Sequence, residues 1–250
     1  MTAPALQHGA SVIFVLLRVL PVVLLCPLLG ASLVPGPIRL GISLVVAVWI
    51  HGAAGIHVTP STGVWLGLAV EQLSLGAVMG LAAAWSYDMA LAAGRWADLL
   101  RGSSAEAFNP ATGSRESAGG ALLHRLLIAS AAAAGALPAM VSELGRSFLW
   151  CPPGHFALTG EVLERWMSGM VSAFEVGVLV AAPFALLALS VDLTVAFVQR
   201  MAPAFPSMEA ALPARLLLGG LFWALDLGPA LARLMASGVS FRALLVGAAP

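Results

Sequence analysis

Residues 64–93 read VWLGLAVEQLSLGAVMGLAAAWSYDMALAA, and this stretch decides the class of fold. It is longer than the roughly 20 mostly apolar residues that a transmembrane helix needs. Five further apolar stretches accompany it, at roughly 11–34, 40–59, 121–142, 169–198 and 212–232. The sequence therefore predicts an all-α membrane protein with six candidate membrane helices.

The composition agrees with a membrane domain. Apolar residues make up 60% of the chain and charged residues 10%, whereas a soluble domain carries about 25% charged residues. The apolar content runs from end to end, so we expect a single membrane domain over residues 1–250. The formal net charge is zero, which excludes the basic surface of a nucleic-acid-binding protein.

The distribution of arginine gives a conflicting topology. The polar segment 95–120 is rich in arginine, which places it in the cytoplasm. The connection 143–168 then falls outside, and the tail with Arg233 and Arg242 falls outside as well, against the positive-inside rule. Either one stretch does not span the membrane, or a simple count of spans does not describe the protein.

Ionisable residues interrupt the apolar stretches at Arg18, Glu71, Glu175 and Asp192. Each costs about 2.5–3.5 kcal/mol at the centre of a membrane helix, so it needs a partner or water. One interpretation is that these residues line an interior path or a subunit interface. The other is that they pair within one helical bundle or extend to the membrane surface.

Prolines and glycines also mark the apolar stretches. Pro21 and Pro27 predict a bent and broken first helix, because each proline removes a backbone donor. Pro138 and Pro183 each remove a backbone hydrogen bond later in the chain, and neighbouring helices or polar side chains must repair that loss. Gly76 and Gly80 form a G-x-x-x-G pattern that allows another helix backbone to approach closely.

Catalytic motifs are absent from the sequence. The five histidines form no H-E-x-x-H motif, no G-x-S-x-G elbow occurs, and a chain without lysine has no Walker motif. Glu161, Glu164 and Arg165 are typical of a solvated helix face. Cys26 and Cys151 form neither a metal motif nor a disulfide framework. We therefore predict a protein that is not an enzyme and that binds no cofactor or metal.

A series of motifs follows a definite order along the chain. Residues 71–80 contain E-x-x-x-x-G-x-x-x-G, and residues 93–102 read AGRWADLLRG before a proline-containing turn at 109–113. The residues that carry the motifs are Arg18, Pro21, Pro27, Arg39, Glu71, Gly76, Gly80, Gly94, Asp98, Arg101, Gly102, Pro110, Pro183, Asp192, Arg200 and Pro203.

These motifs resemble the T subunit of the type III secretion export gate, whose flagellar counterpart is FliR, over roughly residues 11–220. Arg215 stands where that family often has lysine, which keeps the charge. The Asp98 and Arg101 pair is more similar to the injectisome branch than to the flagellar branch.

The resemblance implies a non-catalytic subunit, present in one copy, that assembles with several copies of the R and S subunits. It also implies contact with the U switch subunit and the V export subunit. The fold would be an R-like part over about 1–170 followed by an S-like hairpin over about 171–250, built of tilted, kinked helical hairpins that stack into a helical hetero-oligomeric assembly. This assembly would lie in the bacterial inner membrane, partly raised toward the periplasm, and form the portal by which unfolded secreted proteins leave the cytoplasm.

The resemblance also implies roles for individual residues. Asp98, Arg101 and Gly102 are expected in a cytoplasmic loop that contacts partner subunits. Arg18, Glu71 and Asp192 are expected to find their polar partners in neighbouring subunits rather than within the chain.

Three other functions remain open. A small polytopic secondary transporter or channel would show two similar halves with matched broken helices, and the sequence has no clear internal repeat. A membrane enzyme would need a convergent set of reactive side chains. An assembly factor that never lines a path is not distinguished by sequence.

Overall fold

A computed structural model describes residues 3–30, 34–56, 64–103, 106–109, 114–156, 159–202, 207–238 and 240–246. The helices are α1 Ala3–Leu25, α2 Gly36–Ala54, α3 Trp65–Leu100, α4 Ala118–Ala133, α5 Ala136–Trp150, α6 Gly160–Met201, α7 Ser207–Ala236 and α8 Phe241–Leu245. Two short strands, β1 Glu106–Asn109 and β2 Ser114–Ser117, pair antiparallel. The predicted all-α membrane fold is confirmed, and the sequence did not predict the small hairpin.

Four helical segments are long and apolar enough to cross a membrane. They are 36–53, 65–100, 160–201 and 211–236, and they correspond to the predicted second, third, fifth and sixth stretches. A fifth crossing is possible where α4 and α5 adjoin. These helices make the chain a multi-pass membrane protein.

The first predicted stretch, 11–34, is shorter as a helix than expected. The apolar part of α1 runs over 9–25, and Pro21 lies inside the helix without ending it. The break comes at Cys26, which is followed by a 3₁₀ turn over Pro27–Leu29. Pro27 therefore breaks the helix as predicted, because it suits the first position of a new turn better than the interior of a helix.

The fourth predicted stretch, 121–142, is wrong as a single straight span. The chain bends by 73° between α4 and α5. Gly135 stands at the bend with a positive φ of 83°, which other residues rarely adopt. Pro138 lies in the first turn of α5. Backbone N–H groups in the first turn of a helix have no carbonyl partner within that helix, so a proline at this position costs no hydrogen bond.

The polar connection predicted at 143–168 is mostly helical. Helix α5 continues to Trp150 and α6 begins at Gly160. Leu144, Ser147 and Phe148 are buried along one side of α5, while Arg146 is exposed. Spacings of three and four residues place the buried group on a single helix face, so an amphipathic helix forms where the scattered charges indicated a loop.

The chain forms two compact units. The first consists of Met1–Trp85, Ser130–Val171 and Gly238–Pro250. Its buried side chains include Val15, Val19 and Val22 of α1 and Leu75 and Met79 of α3. The α1 valines recur at the three- and four-residue spacing of one helix face.

The second unit consists of Ser86–Ala129 and Ser172–Ser237. Aromatic residues join its two long helices: the Phe184 ring centroid lies 5.2 Å from that of Phe222 and 5.3 Å from that of Trp223. Pro183 lies just before this contact, and α6 continues through it. The division into an R-like part and an S-like hairpin near residue 170 stays a prediction.

Candidate functional site

A fully buried arginine joins three helical segments of the first unit. The Arg18 side chain in α1 is 0% exposed. Its Nε donates to Gln72 Oε1 at 2.7 Å, and its two terminal nitrogens donate to Ser147 Oγ at 3.2 Å and to the Cys151 carbonyl at 2.9 Å. We call these residues, with Glu71, the Arg18 network.

The guanidinium of Arg18 also lies over an aromatic ring. Its central carbon is 3.8 Å from the centroid of the Phe148 ring, which is the geometry of a cation–π interaction. A planar group with five donors can make all these contacts at once, whereas a lysine cannot.

Glu71 extends the network to the loop that follows α5. Its carboxylate accepts the Gly154 N–H at 2.9 and 3.1 Å, through its two oxygens, and the Phe156 N–H at 3.2 Å. Gln72 Nε2 donates to Glu71 Oε1 at 3.4 Å, so the glutamine lies between the charged groups. The network therefore fixes the start of α3 against α1 and against the end of α5.

These contacts overturn one expectation. Arg18 and Glu71 have polar partners within the chain, and Asp192 pairs with Arg215 of α7. The prediction that neighbouring subunits satisfy all three is therefore wrong. The alternative interpretation of pairing within one bundle holds, because helices that already pack together can supply partners without the entropy cost of association.

The G-x-x-x-G pattern lies where α3 crosses α1. A Cβ at Gly76 would meet the Arg18 carbonyl oxygen at 2.3 Å, and one at Gly80 would meet the Pro21 carbonyl oxygen at 2.9 Å. Real Cβ atoms essentially never come that close. The predicted close approach is confirmed, and it brings Gln72 within hydrogen-bond distance of Arg18.

A second polar cluster, the Asp98 network, lies in the second unit. The Asp98 carboxylate is 1% exposed. One oxygen accepts the Gly119 N–H at 2.6 Å, and the other pairs with Arg101 at 2.5 Å. Ser117 Oγ accepts the Gly120 N–H at 3.1 Å. Asp98 and Ser117 therefore cap the first turn of α4, where unpaired N–H groups and the helix dipole favour an acceptor.

The glycines of the AGRWADLLRG motif allow this cap to form. A Cβ at Gly94 would meet the Gly119 carbonyl oxygen at 2.6 Å, so the α3 backbone contacts the start of α4 directly. Gly102 has a φ of 76° and ends α3. Its N–H donates to the Leu99 carbonyl, and the Ser103 N–H donates to the Asp98 carbonyl, which is the Schellman pattern.

Arg101 contacts α7 as well as Asp98. A Cβ at Gly219 would meet Arg101 Cβ at 2.8 Å, so the stem of the arginine packs against a glycine of α7. The expectation of a cytoplasmic loop that contacts partner subunits stays a prediction for Asp98, Arg101 and Gly102. Asp98 itself has its polar partners within the chain.

The remaining predicted residues lie apart from these networks. Asp192 and Arg215 form an ion pair between α6 and α7. Arg200 is exposed in the last turn of α6. Arg39 is half-buried in α2, and its Nε has no hydrogen-bond partner among the residues that the structure describes. Pro110 and Pro203 lie outside the described residues.

Sequence reasoning missed several members of the networks. Gln72 and Ser147 are 0% exposed although polar, and neither stands in a recognisable motif. Gly119 and Gly120 directly precede the apolar run of α4, which is a signal for a helix start that the sequence analysis did not use. The ion-pair role of Arg215 was likewise not predicted.

The chemistry of both networks is that of hydrogen-bonded anchors. Within the described ranges, no group of three or more His, Cys, Asp or Glu side chains could hold a metal ion. Burial raises the pKa of the Cys151 thiol, with the Arg18 guanidinium acting in the opposite direction. What these groups achieve is a fixed register between helices of a membrane protein.

Comparison with known proteins identifies the family. The family model described as "Bacterial export proteins, family 1" matches residues 10–239, which includes both networks, most of α1 and all of α2 to α7. A search of curated proteins found no match. This chain belongs to the bacterial export proteins, family 1, and is a multi-pass membrane component of bacterial protein export.

Proposed function

We propose that this protein is the T subunit of a type III secretion export gate, a non-catalytic core component that helps to form the portal for unfolded substrates across the bacterial inner membrane. The family match supports a role in export. The ordered motifs from Arg18 to Arg200 support the T-subunit position. The Asp98–Arg101 ion pair favours the injectisome branch over the flagellar branch.

The length of α6 carries the proposal of an assembly. At about 1.5 Å per residue, the 42 residues of α6 extend over about 63 Å, roughly twice the 30 Å hydrocarbon core of a bilayer. Placing the whole helix within that core would need a tilt of about 60°, beyond the range of about 0–40° that membrane helices show.

Apolar side chains are nevertheless exposed along the whole of α6. Leu163 near its start is 45% exposed, Leu186 in its middle is 69% exposed and Met201 at its end is 74% exposed. Lipid covers only part of such a surface, so other protein must cover the rest. Partner R and S subunits, in several copies per copy of this chain, fit that requirement, with the U and V subunits as further contacts.

This surface also supports the proposed location. A helix that is longer than the bilayer is thick and stays apolar is compatible with the proposed assembly, which would be partly raised out of the membrane toward the periplasm. In this proposal, the Arg18 network and the Asp98 network each fix the register of the helices within their own unit. The transported substrate is an unfolded secreted protein.

The test is purification of a tagged chain in mild detergent, followed by mass spectrometry of the proteins that accompany it. The proposal expects R-type and S-type subunits, each in molar excess over this chain. A chain that purifies alone and drives solute uptake into liposomes would refute the proposal and favour a secondary transporter.

A further inference from the structure

Glu175 is a charged residue deep within the apolar part of α6. Between Trp166 and Gln199 the helix carries two charged side chains, Glu175 and Asp192. Glu175 follows Arg165 by ten residues, which is about 15 Å along a helix. Its carboxylate is therefore too far along the helix to reach the polar start of α6.

The surface around Glu175 is apolar and exposed. Glu175 itself is exposed, and its neighbours Phe174, Val178 and Leu179 are 50%, 42% and 58% exposed. No hydrogen bond or ion pair reaches its carboxylate from the described part of the chain. We call these four residues the Glu175 face.

The other acid of this helix shows what such a carboxylate binds. Asp192 also lies among exposed apolar residues, and the guanidinium of Arg215 pairs with it from the adjoining helix. The chain thus satisfies one α6 carboxylate with a cation from a neighbouring apolar helix. Glu175 occupies the same kind of position without that neighbour.

Neither lipid nor water fits the Glu175 face as well as a protein helix does. A charged group that faces the hydrocarbon costs about 2.5–3.5 kcal/mol, and proteins place such groups against partners instead. A water-filled path is lined by several polar groups. Here Ser172 adds one exposed hydroxyl one turn before Glu175, whereas Phe174, Val178 and Leu179 offer no polar group. A lone carboxylate in an apolar surround is complementary to an apolar helix with a single cationic side chain.

We propose that the Glu175 face binds an apolar helix of an adjoining export-gate subunit that carries an arginine or lysine at the level of Glu175. This inference rests on the proposed function, because it takes the partner from the same assembly. The ion pair fixes the register of the two helices along their axes, and the apolar residues supply the contact area.

The first experiment compares charge variants of the tagged chain in cells that hold the complete export gate. Glu175→Arg places like charges together, so it is expected to lower the recovery of co-purified subunits. The expected loss is at least about tenfold, which corresponds to about 1.4 kcal/mol of binding free energy. Glu175→Gln should lower it less. The matched control is Glu164→Arg, the same charge reversal at an exposed position near the polar start of α6, which should leave recovery unchanged.

A second measurement does not depend on folding of a charge variant. A photoreactive amino acid replaces Val178, one turn beyond Glu175, in the otherwise unchanged chain within the complete gate. The inference expects a cross-link to one subunit, in a peptide that contains an arginine or lysine. Cross-links to lipid alone, or no protein cross-link, would overturn it.

The outcomes separate the two proposals. If the unchanged chain recovers no R- or S-type subunit, the proposed function fails and the inference fails with it. If the unchanged chain recovers them and Glu175→Arg recovers them equally well, only the inference is overturned. A second-site change from arginine or lysine to an acid in a partner subunit that restores recovery with Glu175→Arg would support it directly.

Discussion

At the residue scale, the clearest feature is a buried arginine whose hydrogen bonds are supplied by uncharged groups. Arg18 donates to an amide oxygen, a hydroxyl and a carbonyl, and Glu71 accepts from two backbone N–H groups. Buried charges with many hydrogen bonds define a register more than they add stability. The Arg18 network therefore acts mainly to position α1, α3 and the end of α5.

Replacing Arg18 tests this role. We expect Arg18→Ala to lower the stability of the protein in detergent, because each buried polar group left without a partner costs about 1–3 kcal/mol. Arg18→Lys should fall between Arg18→Ala and the unchanged protein, because lysine keeps the charge but cannot form the planar set of bonds. Thermal unfolding followed by tryptophan fluorescence measures the effect.

The control for this prediction is Arg233→Ala. Arg233 is exposed on α7, so its loss should leave the unfolding temperature almost unchanged. Equal unfolding temperatures for Arg18→Ala and Arg233→Ala would contradict the proposed role of the network.

At the element scale, glycines decide which helices cross closely. Gly76 and Gly80 leave no room for a side chain against the α1 backbone, and Gly94 leaves none against the start of α4. Small residues at such crossings let backbones approach in membrane proteins. Helix α3 thus contacts one partner in each unit through glycines spaced along its length.

Two glycine-to-alanine changes in α3 have opposite expected effects. A Cβ at Gly76 would overlap the Arg18 carbonyl, whereas a Cβ at Gly67 meets nothing within 4 Å. Gly76→Ala should therefore destabilise the protein by about 1–3 kcal/mol, as overpacking does. Gly67→Ala should not, since alanine favours a helix by about 1 kcal/mol. The unfolding temperatures of the two variants, measured side by side, test this prediction. An equal loss of stability in both variants would refute the close crossing.

The cap on α4 is a second prediction at this scale. Asp98→Ala removes the acceptor for the Gly119 N–H, and caps contribute about 0.5–2 kcal/mol. We expect faster amide hydrogen exchange in the first turn of α4 and little change in α2. Asp98→Asn should show a smaller effect, because its side-chain oxygen can still accept from Gly119. Unchanged exchange at Gly119 in Asp98→Ala would show that the cap is not formed in solution.

At the scale of the whole molecule, the exposed apolar surface exceeds what a bilayer covers. Helix α6 is about 63 Å long, and a bilayer covers about 20 residues of a helix. Under the proposed function, partner subunits would cover the part of this surface that lipid does not cover.

A scan along α6 tests this view. Photoreactive residues placed one at a time at exposed positions from Leu163 to Met201 should label lipid over no more than about 20 consecutive residues. The other positions should label protein in the complete assembly. Lipid labelling at every exposed position would mean that the helix lies flat in the membrane and needs no partner.

The sequence by itself determined the membrane class, the four long apolar helices and the close approach at Gly76 and Gly80, because these depend on composition and on spacings within one helix. The break at Pro27 follows from local sterics for the same reason. Only the tertiary structure decided how Arg18, Glu71 and Asp98 are satisfied. Their partners lie up to 133 positions away in sequence, and neutral groups such as Ser147 and backbone N–H have no pattern to recognise. The partners available to a buried charge depend on which helices pack around it. Residue spacing within one helix does not indicate those partners.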